Sequence, residues 1–111
     1  MEHDDPRLAW DITPLQLQAR LAAGDLCLID VRELDEWQAG YIAGAQHIPL
    51  SELPGALGRL DPQAEIVLYC KRGSRSLQAL AYLQKAGFAH LQNLAGGIIA
   101  WGEEVDAALL P

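Results

Sequence analysis

The chain has 111 residues, half of them hydrophobic, which is enough for one core of ordinary size, and no second domain is expected. Its 15 acidic residues outnumber the 8 lysines and arginines, giving a formal net charge of -7 and excluding nucleic acid as an expected partner, since the phosphate backbone would be repelled. No apolar run approaches the roughly 18 residues of a membrane span. The acidic start, Met1 to Pro6, lacks the positive and apolar character of a secretory leader, so a cytoplasmic protein with no membrane partner is expected.

Residues 1–7 read as a flexible tail and 8–111 as one folded unit. Ala9 to Ile12 predicts a short first strand. Thr13 before Pro14 has the form of an N-cap with proline in the first helical position, and the helix continues to Gly24. Leu26 to Val31 is a continuous apolar run, suited to a strand buried on both faces of a parallel sheet. Cys27 inside it reads as an inert core thiol.

Glu33 to Gln38 predicts a short helix ended by Gly40, with Trp37 as core-facing anchor and Arg32 paired to Glu36 four residues on. Ala45 to Ile48 predicts a brief strand stopped by Pro49, and Ser51 opens another short helix broken around Gly55 and Gly58. Ile66 to Tyr69 is the central strand, Ser76 to Ala86 a helix closed by Gly87, and His90 to Leu94 the last strand. Gly96-Gly97 then turns the chain into a helix carrying Ile98, Ile99, Trp101 and Val105. Strands alternating with helices, without repeats, give an α/β fold with a mostly parallel sheet, in which ligands bind at the carboxyl ends of strands.

Cys70 lies at such an end, followed by Lys71, Arg72, Gly73, Ser74, Arg75 and Ser76. A thiol attacks as thiolate, and a free cysteine with pKa about 8.5 is mostly protonated at neutral pH. The start of a helix near Ser74 lowers that value, and Gly73 permits backbone angles that turn consecutive N–H groups inward as an anion cradle. Ser74 and Ser76 are expected to cap this helix. Arg75 is expected to orient the loop or bind donor oxygens, with a surface ion pair as the alternative. Lys71 and Arg72 either attract an anionic donor or are simply solvated. Asp30 and Arg32, at a neighbouring strand end, are expected to form a structural ion pair.

The loop holds no histidine or carboxylate, so a cysteine–histidine dyad would need a distant residue such as His47 or His90 to approach in space. No second cysteine or histidine stands at metal-ligand spacing from Cys70, so no metal is expected. Cysteine phosphatases and arsenate reductases with a related loop place an arginine six positions after the cysteine. Here the sixth position is Ser76 and the arginine is fifth, a tighter loop that suits one sulfur atom better than a phosphate.

Three motifs, in order, resemble the rhodanese family of sulfurtransferases in its single-domain form. The first is Asp30-Val31-Arg32 with Glu36-Trp37, Gly40, Ile42, Gly44-Ala45 and Ile48-Pro49, in which Tyr41 stands where the family usually has histidine. The second is the loop Cys70-Lys71-Arg72-Gly73-Ser74-Arg75-Ser76, which is similar to the family's active-site loop of six residues from cysteine to arginine. The third is Leu94-Ala95-Gly96-Gly97-Ile98 with Ala100-Trp101. The resemblance runs from about Ile12 to about Glu104, and it implies a three-layer fold with a central sheet of about five strands and helices on both faces. It also implies sulfur transfer through a Cys70 persulfide, with substrate held by the loop from Lys71 to Ser76. The implied donor is thiosulfate or a persulfide, the implied acceptor cyanide or a thiol such as thioredoxin or glutathione, and no cofactor is needed. A persulfide carrier or regulatory module acting on a partner protein is the alternative, with a phosphatase or arsenate reductase behind it.

Overall fold

The computed structural model describes residues 10–24 and 26–110, so the expected tail and Ala9 lie outside the described residues. Ten elements follow the expected order: β1 (Asp11–Ile12), α1 (Pro14–Ala23), β2 (Cys27–Asp30), α2 (Leu34–Ala39), β3 (Gln46–His47), α3 (Leu53–Ala56), β4 (Ile66–Tyr69), α4 (Ser74–Lys85), β5 (Leu91–Leu94) and α5 (Gly97–Glu104). Short 3₁₀ turns flank α3 at Leu50–Glu52 and Leu57–Arg59, and one follows α5 at Ala107–Leu109.

The strands form one sheet in the order β1-β5-β4-β2-β3, and every pairing is parallel. β4 is central, paired along its full length with β2 and over three residues with β5, where Leu68 stands opposite Asn93. All four β4 residues are buried, as befits a strand covered on both faces.

Alternation along the strands divides the interior in two. Ile29, Val31, Ile66, Leu68 and Cys70 share one core with α3 and with Ala79, Leu80 and Leu83 of α4. Leu28, Val67, Tyr69 and Leu94 face the other way, onto Leu17 of α1 and Ile98 and Trp101 of α5. The cysteine side chain therefore belongs to the α4 face. Helix α1 begins as its sequence predicts: Thr13 Oγ1 accepts from Gln16 N–H, Gln16 Oε1 accepts from Thr13 N–H, and Pro14 follows the cap.

Two expectations are corrected here. Trp37 is only half-buried and joins neither core; its ring stacks with Tyr41 at 3.7 Å and with His47 at 4.8 Å between centroids. Helix α2 is under two turns long and buries no residue, so it offers no face to the core. Arg32 does not pair with Glu36. It precedes the helix, and its guanidinium bonds Asp30, at 2.8 Å from Nη2 to Oδ2, and the Gly40 carbonyl at 2.7 Å. The expected Asp30–Arg32 ion pair is thus present, buried, and tied to the end of α2.

Candidate active site

The loop that leaves β4 is shaped by what lies beneath it. The N–H groups of Ile98 and Ile99, in the first turn of α5, donate to the carbonyls of Cys70 and Lys71 at 2.9 and 3.2 Å. Gly97 makes that approach possible: a Cβ there would lie 2.3 Å from the Lys71 oxygen, and its φ of +63° is left-handed. With the loop carbonyls turned toward α5, Gly73 (φ +119°) turns the chain into α4, and its N–H donates to Cys70 Sγ at 3.0 Å.

Gly73, rather than a serine, is the N-cap of α4. Ser74 is the first helical residue and is exposed, which corrects the expectation that it caps. Ser76 is fully buried and points back into the loop, its Oγ 3.4 Å from Cys70 Sγ, 3.1 Å from the Gly73 carbonyl and 2.5 Å from Asn93 Oδ1. Its hydroxyl serves the sulfur's surroundings, not a helix cap.

Cys70 is 1% exposed. Burial pushes its thiol up, but the Ser76 hydroxyl and the N–H groups of Ser76, Gly73 and Arg72 more than offset that, so its pKa lies below an ordinary thiol's. Cys27 has no such loop around it: it is half-buried, burial raises its pKa, and its sulfur accepts from Gln46 Nε2 at 3.2 Å. The two thiols are separate, and neither is in a disulfide.

The three cations of the loop part company. Arg75 reaches across to α2, its Nη1 and Nη2 donating to Glu36 Oε1 and Oε2 at 2.6 and 3.0 Å. That fork-shaped pairing, with an acidic neighbour 39 residues earlier in the chain, holds the Glu36 carboxyl down at about 2. It also fastens the end of the loop to the segment after β2. Lys71 and Arg72 are exposed. His47 lies elsewhere, its Nε2 2.7 Å from the Arg32 carbonyl oxygen, and His90 is exposed. The groups directed at the sulfur, the Ser76 hydroxyl and the loop N–H groups, include no histidine among the described residues. No group of three or more metal-ligating side chains occurs among the described residues.

Two site residues were not singled out by sequence reasoning. Glu36 was assigned to the wrong arginine, and Asn93 was passed over. A signal for Asn93 existed: it stands in phase with Leu91 on a buried strand, so its amide had to face the same core as Leu68 and Cys70.

A wholly parallel α/β sheet delivers a cysteine into a glycine-turned loop at a helix start, an arrangement that suits a bound anion. The chain belongs to the rhodanese-like domain family, whose model matches residues 13–104. A sulfurtransferase of Allochromatium vinosum is 38% identical over 92 residues, covering 82% of this chain and 86% of its own length. The crystal-structure neighbours include a rhodanese-like domain protein from Staphylococcus aureus, 31% identical with a TM-score of 0.79 and covering 86% of this chain and 93% of its own. The human single-domain sulfurtransferase is 33% identical, with a TM-score of 0.78, and covers 86% of this chain and 96% of its own. The probable adenylyltransferase/sulfurtransferase MoeZ of Mycobacterium tuberculosis is 45% identical over 98 residues, but the match spans a quarter (25%) of that protein's length. No helix among the described residues is long and apolar enough to cross a membrane.

Proposed function

We propose that the protein is a thiosulfate sulfurtransferase that works through a persulfide on Cys70. The observation that carries this reading is the Cys70 sulfur itself, buried under its own loop with the Gly73 N–H donating to it and the Ser76 Oγ 3.4 Å away. In the first step the Cys70 thiolate attacks the outer sulfur of thiosulfate. The new S–S bond forms as the old one breaks, and sulfite leaves with the bonding electron pair. The loop donors stabilise the persulfide anion that remains, as preorganised dipoles do for developing charge. In the second step cyanide, or a thiolate such as that of glutathione or thioredoxin, takes the outer sulfur and returns the Cys70 thiolate.

The residues divide the work. Cys70 is the nucleophile. Gly73 and Ser76 supply donors to the sulfur, and Ser74 opens the helix whose positive end faces it. Exposed Lys71 and Arg72 attract the dianionic donor, whereas Arg75, bonded at both ends of its fork to Glu36, holds the loop in place. Burial of the sulfur favours a donor that presents a single atom over a tetrahedral phosphate. The unpaired state of both cysteines fits a reducing, cytoplasmic setting.

The test is thiocyanate release from thiosulfate and cyanide. Wild type and Cys27→Ser are expected to turn over alike, and Cys70→Ser to be inactive. Activity that survives Cys70→Ser, or depends on Cys27, refutes the reading. The match to one quarter of a longer adenylyltransferase/sulfurtransferase favours a second reading, a persulfide carrier for a partner protein. A carrier would load from a persulfide donor and give its sulfur to a protein thiol far faster than to cyanide.

A further inference from the structure

Asn93 is a buried polar side chain, 3% exposed, to which the transfer chemistry above gives no role. Its amide meets Ser76, and Ser76 stands in a bind. A serine hydroxyl has one proton to donate, yet three acceptors surround Ser76 Oγ: Asn93 Oδ1, the Gly73 carbonyl and Cys70 Sγ. The Gly73 carbonyl already accepts the Leu77 N–H at 3.1 Å. With its second lone pair it still competes for the serine proton, beside the sulfur and the amide.

A primary amide has two faces. With Oδ1 toward Ser76, Asn93 draws the serine proton away from the sulfur. With Nδ2 in that place after a half-turn about the last torsion, it donates into Ser76 Oγ, and the serine proton is free for the sulfur. An anionic sulfur is the stronger acceptor, and hydrogen bonds in a chain polarise one another.

We propose that Asn93 is a positioning residue that acts through Ser76. Its amide donates from Nδ2 to Ser76 Oγ when the Cys70 sulfur is anionic, aiming the serine hydroxyl at the sulfur, and accepts at Oδ1 when the sulfur is a neutral thiol. The inference rests on Cys70 being the nucleophile, but its test requires no turnover. The charged groups near the thiol include Arg75 of α4, with Glu36 of α2 bonded to it and Glu33 at the start of α2 acting on it, and exposed Lys71 and Arg72 of the loop; the strand β5 contributes the neutral Asn93. All of these charges stay in place in the variants below.

The experiment is the pH profile of iodoacetamide alkylation of Cys70 in a Cys27→Ser background. Asn93→Leu is expected to raise the midpoint by about one pH unit, a roughly tenfold lower thiolate fraction below it, as loss of support for a hydrogen bond to a charged group implies. Ser76→Ala is expected to raise it as well, and adding Asn93→Leu to Ser76→Ala to move it no further. No rise in Asn93→Leu, or an equal rise with and without Ser76, overturns the proposal.

Should Asn93→Leu fail to fold, the unaltered residue carries the test. The Asn93 side-chain amide resonances are expected to shift with the same midpoint as the alkylation profile, and resonances fixed across that midpoint overturn the proposal. A protein that passes these tests but never takes up sulfur would refute the proposed function while leaving the Asn93–Ser76 relay standing.

Discussion

Replacing Glu36 by glutamine removes one charge from the fork that ties α2 to the loop end and leaves the side chain's size unchanged. Arg75 holds the Glu36 carboxyl at about 2, from an ordinary value of 4.5. At about 1.4 kcal/mol per pH unit, that depression sets a ceiling of roughly 3 kcal/mol on the pair's contribution. The side chains of Arg75 and Glu36 are 30% and 25% exposed, so solvent screens them. About 1 kcal/mol is the expected loss for Glu36→Gln at pH 7.

The sign of the pH dependence follows from the depressed pKa. The stabilisation is fully present above the unfolded value of 4.5 and is lost as pH falls through about 2. Urea unfolding of wild type and Glu36→Gln at pH 7, 5, 4 and 3 measures it. The gap between the two is expected to hold from pH 7 to 5, to shrink below that, and to shrink also in high salt. Equal stability at pH 7, or a gap unchanged at pH 3, would refute the assignment of the pair as a stabilising tether.

Gly97→Ala places a methyl group within 2.6 Å of two loop carbonyl oxygens at a left-handed φ, so thermal unfolding should show a loss of about 2 kcal/mol or more, together with slower alkylation of Cys70 as the loop shifts. Asp30→Ala leaves the guanidinium of Arg32, 6% exposed, without its carboxylate, and denaturant titration should register a loss of about 3 to 5 kcal/mol. With limiting iodoacetamide at pH 7, peptide mapping should find label on Cys70 before Cys27, because the loop donors lower one thiol and burial raises the other. Equal labelling would mean that the loop does not activate its cysteine.

The order of elements was legible because each strand is a short apolar run bounded by turn residues, and α1 carries its cap in plain sight at Thr13-Pro14. The active loop was legible for a related reason: Cys70 ends a four-residue buried strand and Gly73 follows at the turn. Pairings across the chain were not. Arg32 and Glu36 are four apart in sequence, yet Arg32 lies before the helix, ahead of its extended N-cap Glu33, and its guanidinium bonds the carboxylate of Asp30, two residues back. Glu36 was then free to meet Arg75, a contact across 39 residues of chain that no local spacing encodes. Ser76 reads locally as a capping residue, and only the closure of the loop by Gly73 turns its hydroxyl toward sulfur and Asn93.

Intact-mass and peptide mass spectrometry of the purified protein after thiosulfate treatment tests the central claim most directly. The account predicts one added sulfur, located on the Cys70 peptide, released by cyanide and absent from Cys70→Ser. Sulfur on Cys27, or no added mass on a folded protein, would contradict it.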